Sequence, residues 1–243
     1  MSKDGRIWLS HTGIETLERC PRCFWLLYKR GIRQPEGIVS RLANRFDGVM
    51  KDYFGRFRDT GELPPMVAGK LDGRLQNPFQ EKYFVQIDEE YGFWGKLDEC
   101  LINKKNEYIP VDFKTSSSDP REKEVLAAYQ SQIDAYTYII SRNNKPIAGY
   151  GYLIFVYPDL GRNLHEGFPM IIHIQKLTGD PKKTEKRIAK AIEVIEGKIP
   201  PSSPSCNFCN WHTLMNAELK EGGKNNRKKP ASRPGENLQL ALG

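Results

Sequence analysis

Apolar positions recur at helical spacing near the start of the chain. Ile14, Leu17, Cys20, Phe24 and Leu27 share one side over residues 12–30, with Thr12 placed as a cap and Pro21 placed to interrupt the helix. A second helix is predicted over about 40–58, with Leu42, Phe46, Val49, Met50, Tyr53 and Phe54 on its apolar side. Residues 59–80 hold Gly and Pro without a period and read as a connector. The period then shortens to two. Residues 82–89 alternate as a strand, Glu90-Tyr91-Gly92 marks a turn, 93–103 reads as the partner strand, and 107–114 reads as a third. Ser116 to Pro120 forms a loop, followed by a helix over about 123–142. Two more strands follow at 147–157 and 170–175, and Asp180-Pro181 opens a last helix to about Glu196 with Pro at its first position. Two helices, three meandering strands, a helix, two strands and a helix predict an α/β fold, a mixed central β-sheet flanked by helices.

Composition narrows this only slightly. A chain of 243 residues with 39% hydrophobic and 28% charged residues supports one main domain, placed at 1–216. The remaining stretch, 217–243, is rich in Gly, Lys, Asn, Arg and Pro and reads as a basic disordered tail. The formal net charge of +7 favours a polyanionic partner. No apolar run reaches the roughly 20 residues that span a bilayer, and no secretory signal pattern opens the chain, so a cytoplasmic location with no membrane association is expected.

In that setting paired cysteines point to metal rather than to disulfides. Cys20 and Cys23 form one Cys-x-x-Cys pair near the start, and Cys206 and Cys209 form another near the end. The spacing suits Zn²⁺ and equally an iron–sulfur cluster, because both accept four thiolates. Either metal would join the N- and C-terminal ends. His212 is a further candidate ligand. Cys100 lies in an apolar strand and reads as a buried core thiol.

Between the two pairs lie candidate catalytic groups. In a strand, Asp112 and Lys114 point to one side and Val111 and Phe113 to the other. If 93–103 pairs with this strand, Asp98 lies beside Asp112. Two adjacent carboxylates repel unless a cation sits between them, and hard oxygen ligands suit Mg²⁺ or Mn²⁺. Taken alone, Asp-x-Lys is most often a solvated surface pair. Gln132 and Tyr136 fall one helical turn apart on one face, a spacing equally common in ordinary cores. Trp94 reads as core rather than as a base-stacking platform, and His11, His165 and His173 as surface or strand residues.

Together, Gly95-Lys96-Leu97-Asp98, Asp112-Phe113-Lys114, Gln132-x-x-x-Tyr136 and the flanking cysteines resemble the PD-(D/E)XK nuclease superfamily, in its RecB-like and Cas4-like branch. The resemblance spans about residues 10–212. It implies a restriction-endonuclease-like core, phosphodiester hydrolysis and a DNA substrate, either single-stranded or at ends. Asp98, Asp112 and the Phe113 carbonyl would hold Mg²⁺ or Mn²⁺, Lys114 would position or activate the attacking water, and Gln132 and Tyr136 would hold the site and the strand. It also implies a 4Fe–4S cluster on Cys20, Cys23, Cys206 and Cys209, with Zn²⁺ as the alternative, and a partner among recombination, repair or CRISPR-adaptation proteins. Two departures stand out. No histidine occupies the helix before the sheet, where Asp47 is a candidate third acidic ligand and Lys51 stands near the expected histidine. A third C-terminal cysteine is missing near Met215. A nucleic-acid-binding module with weakened catalysis and a zinc-stapled interaction protein are the competing expectations.

Overall fold

The computed structural model describes residues 5–35, 41–122, 127–159, 167 and 169–220. The expected starts of the second and third helices near 40 and 123, His165, and residues 221–243 of the tail lie outside these. Eight strands and six α-helices are described, in the order β1 (Ile7–Ser10), α1 (His11–Arg19), α2 (Pro21–Arg30), α3 (Arg41–Gly55), β2 (Arg74–Leu75), β3 (Lys82–Gln86), β4 (Tyr91–Lys96), β5 (Glu99–Ile102), β6 (Tyr108–Thr115), α4 (Ala127–Arg142), β7 (Tyr150–Pro158), β8 (Met170–Thr178), α5 (Pro181–Glu196) and α6 (Asn207–Lys220). They divide into two compact units, Met1–Ser203 and Pro204–Gly243.

The first unit holds two sheets. A mixed five-stranded sheet has the order β2-β5-β6-β7-β8, with β6 and β7 parallel and the other neighbours antiparallel. A parallel pair needs a long crossover, and α4 supplies it. A smaller sheet has the order β1-β4-β3. Helix α3 covers one face of the large sheet, where Met50 and Phe54 pack with Ile109, Val111 and Phe113. On the other face Ile133, Tyr136 and Ile139 of α4, with Ile188 and Ile195 of α5, pack with Leu153 and Phe155. Cys100 is fully buried there, as a core thiol should be. The mixed sheet with helices on both faces is the expected fold class.

Several boundaries differ from expectation. The helix expected over 12–30 is two helices: the chain turns at Cys20 before Pro21, which starts α2. Ser10, not Thr12, caps α1 by accepting from the Gly13 N–H at 3.2 Å. β1 had no counterpart in the sequence pattern; it is held by parallel pairing to β4 far along the chain. The stretch 93–103, expected as one partner strand, is not one strand. It leaves the small sheet at Lys96 and joins the large sheet at Glu99, so the expected three-strand meander is split between two sheets. In the second unit α6 reaches Lys220, four residues beyond the 216/217 boundary expected from composition. Asp180 does cap α5, accepting from the Lys182 N–H at 3.0 Å, with Pro181 in the first turn.

Candidate active site

Strand β6 lies in the middle of the large sheet, paired along both edges, with α3 packed on one face and α4 on the other. Phe113 turns toward α3, while Asp112 and Lys114 turn toward α4. The antiparallel register pairs Glu99 with Val111, which brings Asp98, one step earlier, beside Asp112. Asp98 sits at the bend between the sheets, and its Oδ2 accepts the Phe113 backbone N–H at 3.1 Å. The break in the expected strand is therefore what turns Asp98 into this site.

The network closes on itself. Gln132 donates from Nε2 to Asp112 Oδ1 at 2.8 Å and to the Tyr136 hydroxyl oxygen at 2.8 Å. Tyr136 donates its own proton to Asp112 Oδ1 at 3.1 Å. Lys114 Nζ donates to Gln132 Oε1 at 2.8 Å and pairs with Asp112 Oδ2. Five of the expected residues, Asp98, Asp112, Lys114, Gln132 and Tyr136, thus meet in one place. Asp112 is 1% exposed, which does not suit a solvated surface pair and removes the main support for the interaction-protein reading. Burial raises its pKa above the ordinary carboxylate range, with Asp98 adding to the rise and Lys114 opposing it. The Tyr136 hydroxyl is driven up by burial and by the same carboxylates, so it stays a donor. Oδ2 of Asp112 is buried with the Lys114 ammonium against it and no hydrogen bond in proper geometry. Such a donor set, two carboxylates and the adjoining strand, fits a hard divalent cation.

Asp47 is placed differently from the expectation of a direct third ligand. It pairs with Lys51 at 2.7 Å, and Lys51 in turn pairs with Asp98 Oδ1 at 2.8 Å. Burial opposes the charge on Lys51, but the Asp47 and Asp98 carboxylates outweigh it and raise its pKa. The ammonium therefore stands where a cation on Asp98 would bind. Lys51→Ala is expected to tighten Mn²⁺ binding about tenfold, measured by calorimetry, because the competing charge is gone. A cleft of about 370 Å³ opens beside this group, lined by Asp47, Met50, Phe113, Lys114, Thr115 and Tyr129 among others. Lys114 lies 5.1 Å from the centre of the Tyr129 ring.

The sequence reading missed two residues around the site. Arg58 forks Glu99, the neighbour of Asp98, and only the fold shows the pair because 41 positions separate them. His11, read as surface or strand, is instead mostly buried on α1. Its Nε2 lies 2.9 Å from Ser131 Oγ, and burial, then Arg187 and Lys114, pushes its pKa down to about 4. It is neutral at pH 7, so the 3.8 Å approach to Glu15 is not an ion pair. The unfolded chain takes up this proton near pH 6.5 and the native one only near 4. Stability held above pH 6.5 is therefore lost as the pH falls to 4, by up to about 3 kcal/mol. His11→Gln is expected to flatten that stretch of a thermal-stability profile. Of the other described histidines, His173 lies on β8 with its ring stacked near Phe155, and His212 lies on α6 beside Asn216.

In the first unit Cys20 marks the junction of α1 and α2, Cys23 lies in the first turn of α2, and the Ser203 N–H reaches Cys20 Sγ at 3.5 Å. In the second unit Cys206 precedes α6 and Cys209 lies in its first turn.

Residues 62–214 match the PD-(D/E)XK nuclease superfamily. A solved structure described as "Crystal structure of SSO0001" is similar at a TM-score of 0.44 and 16% identity, over 88% of this chain and 87% of that one. No described helix is long and apolar enough to cross a membrane.

Proposed function

We propose, from the premise that this chain belongs to the PD-(D/E)XK nuclease superfamily, that it is a Mg²⁺- or Mn²⁺-dependent deoxyribonuclease of the RecB-like and Cas4-like branch, acting on single strands or DNA ends. The observation that carries this is the buried Asp112, held between Lys114 on one oxygen and Gln132 with Tyr136 on the other, with Asp98 bound to the next peptide N–H. Asp98, Asp112 and the Phe113 carbonyl would hold the cation. When bound, it supplies charge stabilisation on the phosphate and acidifies a water. Lys114 is fixed by Gln132 and Asp112, so its ammonium can orient that water and meet charge growing on the phosphate oxygens. Gln132 and Tyr136 hold Asp112 in one rotamer.

The four cysteines would share one metal centre, a 4Fe–4S cluster in this reading and Zn²⁺ in the alternative. The support is the two Cys-x-x-Cys spacings together with the branch resemblance. Iron and sulfide analysis of anaerobically purified protein, with zinc measured in parallel, decides between them. A partner among recombination, repair or CRISPR-adaptation proteins belongs to the same proposal, as does a cytoplasmic location.

A second reading, a binding module with weak catalysis, is favoured by one observation: Lys51 already occupies Asp98 Oδ1. Degradation of end-labelled single-stranded DNA, single-stranded RNA and blunt duplex in Mn²⁺ separates the two. The nuclease reading expects DNA strands or ends to be cut. Tight binding without cleavage of any of the three would leave the binding module.

A further inference from the structure

The outer face of the small sheet is unusual for a sheet surface open to solvent, which ordinarily carries polar side chains. Its inner face accounts for its core: Tyr83, Val85, Tyr91 and Phe93 are buried there, and Phe93 meets Tyr138 of α4 edge-on at 5.8 Å. The outward positions carry aromatics as well. Phe84 and Trp94 are cross-strand partners whose rings stack at 6.2 Å with 15° between planes. Trp8 meets Phe84 edge-on at 5.3 Å. Its ring lies flat on Gly92, where a Cβ would come within 2.5 Å of it, so that glycine is what lets the indole rest on the sheet. Phe84 remains 52% exposed and Trp94 half-buried.

We infer that this face is a stacking platform for the bases of single-stranded nucleic acid, leading the strand to the catalytic centre. The inference rests on the nuclease reading for its destination. Three features select this occupant. Flat aromatic rings accept any base by stacking, and a duplex, whose bases are already stacked inside it, cannot use them. The next cross-strand pair on the outward face is Lys82 and Lys96, both exposed, with Lys96 paired to Glu81 at 2.8 Å, and their ammonium groups suit a phosphate backbone running past the rings. Finally, Trp94 is four residues from Asp98 on the same run of chain, at most about 14 Å away. The lysines stand between the rings and the carboxylates in that order, so a strand stacked on Phe84 and Trp94 and drawn along β4 arrives at Asp98.

The test is fluorescence anisotropy of labelled oligo(dT) on the full chain in EDTA, with a duplex of equal length as control. Phe84→Ala, at so exposed a position, is expected to keep its circular dichroism and bind the single strand about tenfold more weakly. Trp94→Ala is expected to lose at least as much, Trp94→Tyr to recover most of it, and duplex affinity to change less than twofold. Unchanged oligo(dT) binding by folded Phe84→Ala protein overturns the inference, whatever protein the face captures, and so do equal losses for strand and duplex. Irradiating the wild-type protein with an iodouracil-substituted strand gives an independent reading. Adducts on Trp8, Phe84 or Trp94 support the platform, and adducts found only elsewhere overturn it. Because binding is read without metal, a chain that binds through this face and cleaves nothing keeps the platform and loses the nuclease. A chain that cleaves but is indifferent to these substitutions does the reverse.

Discussion

Lys114→Ala is expected to lower metal-dependent DNA cleavage by about 10²- to 10³-fold while leaving divalent-cation binding in place. The ammonium touches both Asp112 Oδ2 and Gln132 Oε1, so its loss removes the positioned positive charge but none of the carboxylates. A second consequence separates this from simple unfolding. Asp112 is 1% exposed, and without Lys114 its charge is buried with less compensation. The metal-free variant should therefore melt below the wild type, and Mn²⁺ should raise its melting temperature by more than it raises that of the wild type. Cleavage within threefold of the wild-type rate would remove Lys114 from the chemistry.

Arg58→Ala is expected to destabilise the protein by about 3–5 kcal/mol, a large share of the 5–15 kcal/mol of a typical domain. Glu99 is 1% exposed, and its carboxylate is held by both arms of the Arg58 guanidinium, at 3.1 Å and 2.7 Å, and by the Cys100 N–H at 2.8 Å. The same guanidinium donates to the Gln76 carbonyl at 2.6 Å and stacks 4.7 Å from the centre of the Phe79 ring. Removing it leaves a buried charge with one partner. The double variant Arg58→Met, Glu99→Leu is expected to cost less than the single one, because no buried charge is then left unpaired. Urea melts of the three proteins measure this. A single-variant loss below 1 kcal/mol would mean that water reaches Glu99. Because Glu99 follows Asp98 directly, the single variant should also loosen the acidic pair.

Local spacing carried most of the network around Asp112 into view. Asp112 and Lys114 share a face because a strand repeats every two residues, and Gln132 and Tyr136 share one because a helix repeats every 3.6. Those periods hold wherever the backbone is regular, and β6 and α4 are regular. The misses fall where the chain is irregular or the partner is distant. The stretch from Phe93 to Ile102 reads as one strand because strand periodicity does not record which sheet a strand joins, so the bend at Asp98 was hidden. β1 is four residues long and exists through its pairing with β4. Asp47 has the composition of a ligand, but Lys51 one helical turn away captures it, a side-chain choice that spacing permits without requiring. The same limit hid the aromatic row: Trp94 was read as core, and only the register that sets Phe84 opposite it shows a face turned outward.

The most direct measurement is single-turnover cleavage of end-labelled single- and double-stranded DNA by the anaerobically purified wild-type chain in Mn²⁺, Mg²⁺ or EDTA, with Asp112→Asn alongside. Cleavage in either metal, none in EDTA and none by the variant is the predicted result. Cleavage that persists in EDTA or in Asp112→Asn, or none by wild-type protein that still binds the strand, would contradict a metal-dependent nuclease centred on Asp112.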